Sequence, residues 1–204
     1  MRGTLMLTVK AATFFVIQVM TGEEQRFIRR AEQALLLRGI DGESCRFWWP
    51  RRKLTIRRKG KREKTLAPLF PGYLFIQTEE ITPEVFRDLR RCSGFVRFLP
   101  DNQNIEPLGA EGLQLVRHFL SFGEVVEQSR VTFDVNNRIV VKEGPLSGME
   151  GRIVKVDRRK GRAKVRLDLY EDSFLIDLGF ETLEPDNRKA DSSDSAAPAR
   201  SEVS

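Results

Sequence analysis

The residue types that most often carry catalysis or bind metals are scarce in this chain. His118 is the only histidine, and the two cysteines, Cys45 and Cys92, lie far apart without a Cys-x-x-Cys spacing. Metal sites and catalytic dyads need several such side chains at defined spacings. We therefore predict no metal, no cofactor and no catalytic residue, so the protein is not expected to be an enzyme. His118 is interpreted as a histidine on the surface of a helix.

Binding through charge is better supported than catalysis. Nine Lys or Arg and one Glu fall between Arg51 and Lys64, a net charge of +8, whereas the whole chain carries +6 and the remainder is therefore net −2. Such a single-signed patch favours contact with nucleic-acid phosphates, and because the run contains no aromatic residue it predicts binding without base stacking. The alternative is a solvated loop that only aids solubility. The candidate nucleic-acid-binding residues of this run are Arg51, Arg52, Arg57, Arg58, Lys61 and Arg62.

A turn with two aromatic residues follows the basic run. Residues 69–76 read Leu-Phe-Pro-Gly-Tyr-Leu-Phe-Ile. Pro71 lacks a backbone N–H and Gly72 tolerates positive φ, so the pair predicts a turn that opens a buried strand. Phe70 and Tyr73 are either core residues at the mouth of that strand or contacts for a partner, and the local pattern alone does not decide between them.

The elements around this turn alternate between strands and amphipathic helices. A strand is predicted from Thr13 to Val19, and the Thr-x-x-Glu spacing of Thr21 and Glu24 predicts a capping box that opens a helix. Further predicted elements are a short strand at 45–49, the basic run as a loop or hairpin, a strand at 73–76, a helix from Thr82 with Pro83 at its first position, a strand at 95–99 and a helix at 110–122. This order is typical of the split βαβ or ferredoxin-like pattern.

A second unit is predicted after a polar stretch. Ala163, Val165, Leu167 and Leu169 alternate with charged residues as in a strand with one buried face, and Arg158 to Gly161 reads as the preceding hairpin turn. Strands are also predicted at 138–143, 152–156, 174–176 and 180–183, which suits a small β-barrel. The fold class is therefore α+β, with residues 1–12 as an extension, 13–122 and 133–185 as domains, 123–132 as a linker and 186–204 as a disordered tail.

The composition suits a globular chain outside membranes. Hydrophobic residues make up 40% and charged residues 31% of the sequence, and Arg2 and Lys10 interrupt the apolar N-terminal stretch. A membrane span and a secretory signal are not expected. A cytoplasmic monomer is predicted.

Taken together, these segments resemble the NusG family of transcription elongation factors, in which an N-terminal (NGN) domain is followed by a KOW domain. The resemblance covers about residues 13–185. It is strongest at Phe70-Pro71-Gly72-Tyr73, at Ser93-Gly94-Phe95-Val96 and at residues 140–151, Val-Val-Lys-Glu-Gly-Pro-Leu-Ser-Gly-Met-Glu-Gly, which match the KOW signature. It implies a ferredoxin-like NGN domain and an SH3-like KOW barrel.

The resemblance also implies partners. In the family, the first domain binds the clamp helices of the RNA polymerase largest subunit through aromatic residues that correspond here to Phe70 and Tyr73, and it lies beside upstream DNA. Large aromatic residues commonly dominate interfaces. The KOW domain of housekeeping members recruits a termination factor or the ribosome, so either is a possible partner here.

Two departures from the family pattern suggest a specialised role. Arg91-Cys92 replaces a polar pair used in base readout, so Arg90 and Arg91 favour phosphate contacts, and Tyr170-Glu171-Asp172 replaces a Phe-Gly-Arg turn. The second domain also carries basic residues that are either a solvated strand face or an RNA site, namely Lys155, Arg158, Arg159, Lys160, Arg162, Lys164 and Arg166.

The sequence thus predicts a specialised LoaP-like or RfaH-like paralogue that contacts polymerase, DNA and nascent RNA and promotes processive elongation or antitermination of specific operons. The alternatives are the housekeeping elongation factor of the organism and a ribosome-associated KOW protein that has no contact with polymerase.

Overall fold

The structure is a computed structural model that describes residues 13–58, 60–170 and 172–183, without the side chains of residues 57, 58 and 62. The predicted extension and tail lie outside the described residues. The helices are α1 (Glu24–Leu36), α2 (Pro83–Arg91) and α3 (Ala110–Leu120). The strands are β1 (Thr13–Val19), β2 (Cys45–Trp48), β3 (Arg51–Arg58), β4 (Lys61–Pro68), β5 (Tyr73–Thr78), β6 (Phe95–Phe98), β7 (Val125–Val126), β8 (Ser129–Phe133), β9 (Ile139–Glu143), β10 (Ile153–Asp157), β11 (Arg162–Leu169) and β12 (Asp172–Thr182).

The N-terminal sheet has the order β2-β5-β1-β6, and its neighbouring strands are antiparallel. Alternation along β1 sends Phe15 and Ile17 into a hydrophobic cluster with α1 and α2, whereas Phe14 and Val16 enter a second cluster on the opposite face. Both faces of this sheet are therefore covered. Helices α1 and α2 cover one face, and α3 with part of the C-terminal sheet covers the other.

The helices follow their apolar periodicity. Phe27, Ala31 and Leu35 are buried at the predicted spacing in α1. Helix α2 begins after Thr82, whose hydroxyl accepts a hydrogen bond from the Val85 amide at 3.3 Å.

The predicted capping box at the start of α1 is wrong. The N-cap is Glu23 and no side chain caps the helix, because the Glu24 carboxylate turns inward to backbone amides instead. Glu24, whose spacing predicts a cap, instead binds the backbone amide of Gly72 in the turn with two aromatic residues.

The basic run forms a hairpin rather than a loop. Strands β3 and β4 are antiparallel over eight residue pairs from Arg51–Pro68 to Arg58–Lys61, and β7 pairs with β3 in parallel to complete a three-stranded sheet. Leu54 on β3 is buried. The polar stretch predicted as a linker thus contains β7 and the beginning of β8.

The C-terminal sheet has the order β10-β11-β12-β8-β9, with β12 and β8 parallel and the other pairs antiparallel. The predicted alternation in β11 is confirmed, since Ala163, Val165, Leu167 and Leu169 are all buried. The two short strands predicted at 174–176 and 180–183 are instead one continuous strand, β12. Gly144 occupies a turn with φ +99°, where a Cβ would lie 2.7 Å from the Ser129 Cα, so this position requires glycine.

The described residues include no helix that is both long enough and apolar enough to cross a membrane. They also contain no group of three or more His, Cys, Asp and Glu side chains arranged to hold a metal ion.

Candidate functional site

The aromatic turn at residues 69–73 is held by short contacts to the end of β1 and the start of α1. Gly72 has φ +79°, and a Cβ at this position would lie 2.7 Å from the Thr21 hydroxyl oxygen. The Gly72 carbonyl accepts a hydrogen bond from the Val19 amide at 2.8 Å. Only glycine fits this geometry without strain, and the backbone that carries Phe70 and Tyr73 is therefore fixed.

A buried carboxylate completes the fastening. The Glu24 side chain is only 2% exposed, and its two oxygens accept hydrogen bonds from the Gly72 and Gly22 amides, both at 2.8 Å. Hydrogen bonds to an ionised carboxylate are stronger than neutral ones. The spacing of Glu24 from Thr21 predicts a helix cap, so the sequence alone does not predict this role.

Phe70 lies inside the core. It is 1% exposed and makes edge-to-face contacts with Phe75, Phe119 and Phe174, with ring centroids 5.2, 6.2 and 6.0 Å away. Two of these partners belong to the N-terminal part of the chain, and Phe174 comes from β12. In this structure Phe70 is therefore a core residue, which is one of the two alternatives for its role.

Tyr73 is half-buried beneath the same β12 residue. Its ring centroid lies 4.8 Å from that of Phe174, at an interplanar angle of 90°. Burial raises the pKa of the Tyr73 phenol, and the nearby Asp172 carboxylate adds to the effect while Arg97 opposes it. Phe174 therefore covers one side of the Tyr73 ring.

We define the closing segment as the described residues 170 and 172–174, which comprise the residue after β11 and the first three residues of β12. The Tyr170 hydroxyl donates a hydrogen bond to the Glu106 carbonyl at 2.7 Å, and an Arg97 guanidinium nitrogen lies 3.4 Å from an Asp172 carboxylate oxygen. Burial raises the pKa of the Tyr170 phenol far above its ordinary value. Tyr170 and Asp172 thus attach the C-terminal sheet to β6 and to the loop that follows it.

Further contacts join the C-terminal part of the chain to α3 and to β3. The His118 Nε2 atom lies 2.9 Å from the Pro145 carbonyl oxygen, and an Arg162 guanidinium nitrogen donates to the Thr55 carbonyl at 3.0 Å. His118 is therefore half-buried between α3 and the turn after β9, and its interpretation as a histidine on the helix surface is wrong. We call the structure in which Phe174 lies over Tyr73 and all of these contacts are formed the closed arrangement.

The predicted cations of the hairpin divide into two groups. At its base, Arg51 and Arg52 are half-buried, and Arg51 is near Glu124 at 3.7 Å and over the Trp49 ring at 5.3 Å. Burial lowers the pKa of the Arg52 guanidinium. At its tip, Lys61 is exposed and faces Arg58 across the turn in the strand register. The side chains of Arg57, Arg58 and Arg62 lie outside the described part.

Arg90 and Arg91 are exposed at the last turn of α2. Arg30 of α1 lies in the same neighbourhood, because its guanidinium donates to the Ser93 carbonyl at 3.2 Å. The structure therefore adds a third arginine to this end of the helical face. Sequence spacing could not have grouped residues 60 positions apart.

The predicted cations of the C-terminal sheet are also not equivalent. Lys155, Arg158, Arg159 and Lys160 are exposed, whereas Arg162 and Lys164 are half-buried. Lys164 pairs with Asp177 at 3.2 Å. The Arg158 guanidinium lies 3.6 Å from the centroid of the Phe133 ring and donates hydrogen bonds to Asn137. Arg158, Arg162 and Lys164 thus have structural contacts, and Lys155 and Arg159 are the freest to bind a ligand.

The cysteines are not placed for nucleophilic chemistry. Burial raises the pKa of the Cys45 thiol to about 11 and also raises that of Cys92. A thiol with a raised pKa carries little thiolate near neutral pH, and the thiolate is the reactive form.

Comparison with known proteins identifies relatives over nearly the whole chain. A family model described as "Transcription termination factor nusG" matches residues 12–117, more than half of the chain. The transcription termination/antitermination protein NusG of Pasteurella multocida is 24% identical over 182 residues, covering 88% of this chain and 98% of its own. The Thermus thermophilus protein of the same name is 23% identical over 177 residues, covering 82% and 95%.

A solved structure described as showing domain interaction in Thermotoga maritima NusG has the same fold. It superposes with a TM-score of 0.52 at 18% identity and covers 82% of this chain and 93% of its own. The fold is therefore NusG-like, mixed α/β with few helices and several sheets.

Proposed function

The chain belongs to the NusG family of transcription termination and antitermination factors, and we propose that it binds RNA polymerase through Tyr73 and Phe70 and promotes processive elongation of specific operons. In this proposal residues 13–122 form a ferredoxin-like NGN domain, residues 123–132 a linker and residues 133–185 an SH3-like KOW barrel. The relatives are transcription factors rather than enzymes, which agrees with the scarcity of catalytic residue types.

The observation that carries the proposal is the rigid aromatic turn. Glu24 and the constraint at Gly72 hold Tyr73 in one orientation, and a pre-ordered aromatic surface loses little entropy when a partner binds. The partner we propose is the pair of clamp helices of the polymerase largest subunit. Its side chains would take the place that Phe174 occupies in the closed arrangement.

Binding to polymerase therefore requires the closing segment to leave. The Arg97 and Asp172 side chains are 39% and 46% exposed, and an exposed ion pair contributes only about 0–1 kcal/mol. The Tyr170 hydrogen bond adds about 1 kcal/mol and each aromatic pair about 0.5–1.5 kcal/mol. These contacts contribute a few kcal/mol to the closed arrangement, and the apolar cluster shared by α3, the N-terminal sheet and the C-terminal sheet adds to it, so a partner must replace both.

Once bound, the N-terminal domain would act by shifting a conformational equilibrium. A factor that binds a closed polymerase clamp more tightly than an open one raises the population of the closed clamp without making or breaking a bond. Pause-prone open states then become rarer, which favours readthrough. Exposed arginines at the end of α2, Arg90 and Arg91, would add phosphate contacts to nearby DNA, and basic residues of the hairpin and C-terminal domain would contact DNA or nascent RNA.

The alternative is the housekeeping factor that couples polymerase to a termination factor or a ribosome. The use of Tyr170 and Asp172 for attachment to the N-terminal domain favours the specialised role, because these residues replace the turn that housekeeping members use for recruitment. A second, more typical family member in the same genome would favour the specialised role, and its absence would favour the housekeeping one. In either case we propose a monomer.

Transcription in vitro across an intrinsic terminator tests the proposal. Wild-type protein should increase readthrough on the leader of its own operon, and Tyr73→Ala should abolish the gain. Tyr73 is the better position to alter because Phe70→Ala would open a core cavity and cost about 3–5 kcal/mol of stability. Phe47→Ala, which truncates a half-buried aromatic of β2 that packs on the opposite face of the N-terminal sheet, is the matched control. Unchanged readthrough with wild-type protein would refute antitermination.

A further inference from the structure

A cleft of about 630 Å³ lies between the basic hairpin and the C-terminal sheet, and we call it the hairpin cleft. Thr55 and Ile56 of β3 form one wall, the β10–β11 turn at 158–161 and the end of β12 at 180–182 form the other, and Gln128 lies between them. Because its walls come from different sheets, the cleft has this shape only in the closed arrangement.

The walls meet at a glycine. A Cβ on Gly179 would lie 2.9 Å from the Gln128 amide nitrogen, at the free end of a flexible side chain, and 3.0 Å from the Lys53 carbonyl oxygen, so a side chain larger than alanine would press on the hairpin backbone. The Arg162 guanidinium donates to the Thr55 carbonyl at 3.0 Å beside this contact. The approach of the two walls is therefore close and fixed by specific residues.

Positive charge predominates at the cleft, where Arg158, Arg159 and Lys160 outnumber the one lining carboxylate, Glu181. A smaller depression of about 160 Å³ adjoins it through Lys160 and is lined by Lys155, Arg162 and Lys164 against Asp157 and Asp177. Neither Arg159 nor Lys155 has a carboxylate within ion-pair distance in the described part of the chain. These two exposed cations are available to a ligand.

Two guanidinium groups near the smaller depression lack full compensation, because Arg162 lines it and Arg52 lies close to Asp177, which also lines it. Burial lowers the pKa of the Arg52 guanidinium. The Asp177 carboxylate raises that pKa in part, and the nearby Arg162 lowers it further. The Nε atoms of Arg52 and Arg162 are buried without a hydrogen-bond partner among the described residues. Like charges held close together make the site favourable for an anion.

We propose that the hairpin cleft binds a single strand of nucleic acid, with its phosphates on Arg159 and Lys160 and, in the adjoining depression, on Lys155. The volume falls within the range of about 300–1,000 Å³ typical of small-ligand pockets, which admits one or two unstacked nucleotides and excludes a double helix. Several lysines and arginines along one path match the repeating charge of a phosphate backbone.

The proposal has a regulatory consequence. A ligand that binds only where both walls meet stabilises the closed arrangement, and by linkage it must weaken any partner that needs the open one. Nucleic acid in the cleft would therefore compete with a partner on Tyr73. This inference rests on the nucleic-acid binding proposed above and adds that the site is shared by the two sheets.

The charge of the site is tested first, with the full chain and a fluorescein-labelled 12-nucleotide oligo-uridine RNA followed by anisotropy. The double variant Arg159→Glu with Lys160→Glu should bind about tenfold or more weakly, whereas Arg29→Glu with Lys142→Glu, which reverses two exposed cations elsewhere, should stay within about threefold. Equal losses in both variants would overturn the site, as would equally tight binding of the matched DNA duplex or of a poly-glutamate peptide.

The shared construction is tested by a variant that changes no charge. Gly179→Val, which adds two methyl groups beyond a Cβ that already lies 3.0 Å from the Lys53 carbonyl oxygen, should separate the walls and weaken RNA binding about fivefold or more. Gly151→Val, at a position where a Cβ would meet nothing within 4 Å, should bind like the wild type. The double variant Phe174→Ala with Asp172→Asn should also disrupt the closed arrangement. It should bind RNA more weakly, although the loss of a negative charge would by itself favour RNA binding.

The outcomes separate the two proposals. Absence of RNA binding by the wild-type chain would refute nucleic-acid binding by this face altogether. Binding that both opened variants retain in full would leave that function intact and overturn the shared cleft.

Discussion

Replacing Glu24 should show how strongly the aromatic turn depends on one buried carboxylate. Glu24→Ala leaves the Gly72 and Gly22 amides without an acceptor, and the Gly72 amide is buried. A hydrogen bond to a charged group contributes about 1.5–3 kcal/mol, and a buried unpaired donor costs about 1–3 kcal/mol. Because water reaches the Gly22 side in part, we expect a loss of about 2–4 kcal/mol in the free energy of unfolding.

Urea denaturation followed by circular dichroism measures this loss, with the midpoint and slope fitted separately. Glu32→Ala, which removes an exposed carboxylate from the same helix, should change stability by less than about 0.5 kcal/mol. Glu24→Gln keeps one acceptor oxygen and should fall between the two. A Glu24→Ala protein as stable as Glu32→Ala would refute the assigned role of the carboxylate.

Other predictions concern the glycines, the thiols and the acids. Gly72→Ala should cost more stability in thermal melting than Gly39→Ala, because both have positive φ but only Gly72 would also meet a neighbour at 2.7 Å; equal losses would contradict the crowding. Cys45 should resist iodoacetamide at pH 8 in the folded protein, because its pKa of about 11 leaves little thiolate, and rapid alkylation seen by mass spectrometry would contradict its burial. Backbone hydrogen bonds lower the pKa of Asp101 and Asp157 below 3.8, so their contribution is present above that pH and is lost as the pH falls below about 4. The melting temperature should therefore drop there, and less so with Asp101→Asn and Asp157→Asn.

Local periodicity predicted the elements whose neighbours along the chain decide their structure. The spacing of Phe27, Ala31 and Leu35 predicted the buried face of α1, and the alternation from Ala163 to Leu169 predicted that of β11. Thr82 and Pro83 predicted the start of α2. In each case the pattern extends over a few residues, so the sequence alone carries the signal.

The closed arrangement could not be predicted in this way. Phe174 contacts Phe70 and Tyr73 across about 100 residues of sequence. Gly179 lies so near the Lys53 carbonyl oxygen that a Cβ would come within 3.0 Å of it. Glu24 has the spacing of a capping residue, but a buried amide 48 residues away attracts its carboxylate instead. Contacts of this kind depend on how the sheets pack, and no local pattern encodes them.

The most direct test of the account measures the affinity of core RNA polymerase for two single variants. Tyr73→Ala removes the proposed contact and should weaken binding by tenfold or more. Phe174→Ala removes its cover, and a loss of about 2 kcal/mol from the closed arrangement should raise the apparent affinity by up to about 30-fold. Phe47→Ala, on the opposite face of the N-terminal sheet, should leave it unchanged. Opposite effects of Tyr73→Ala and Phe174→Ala would support the account, and a Phe174→Ala protein that binds polymerase no better than the wild type would contradict it.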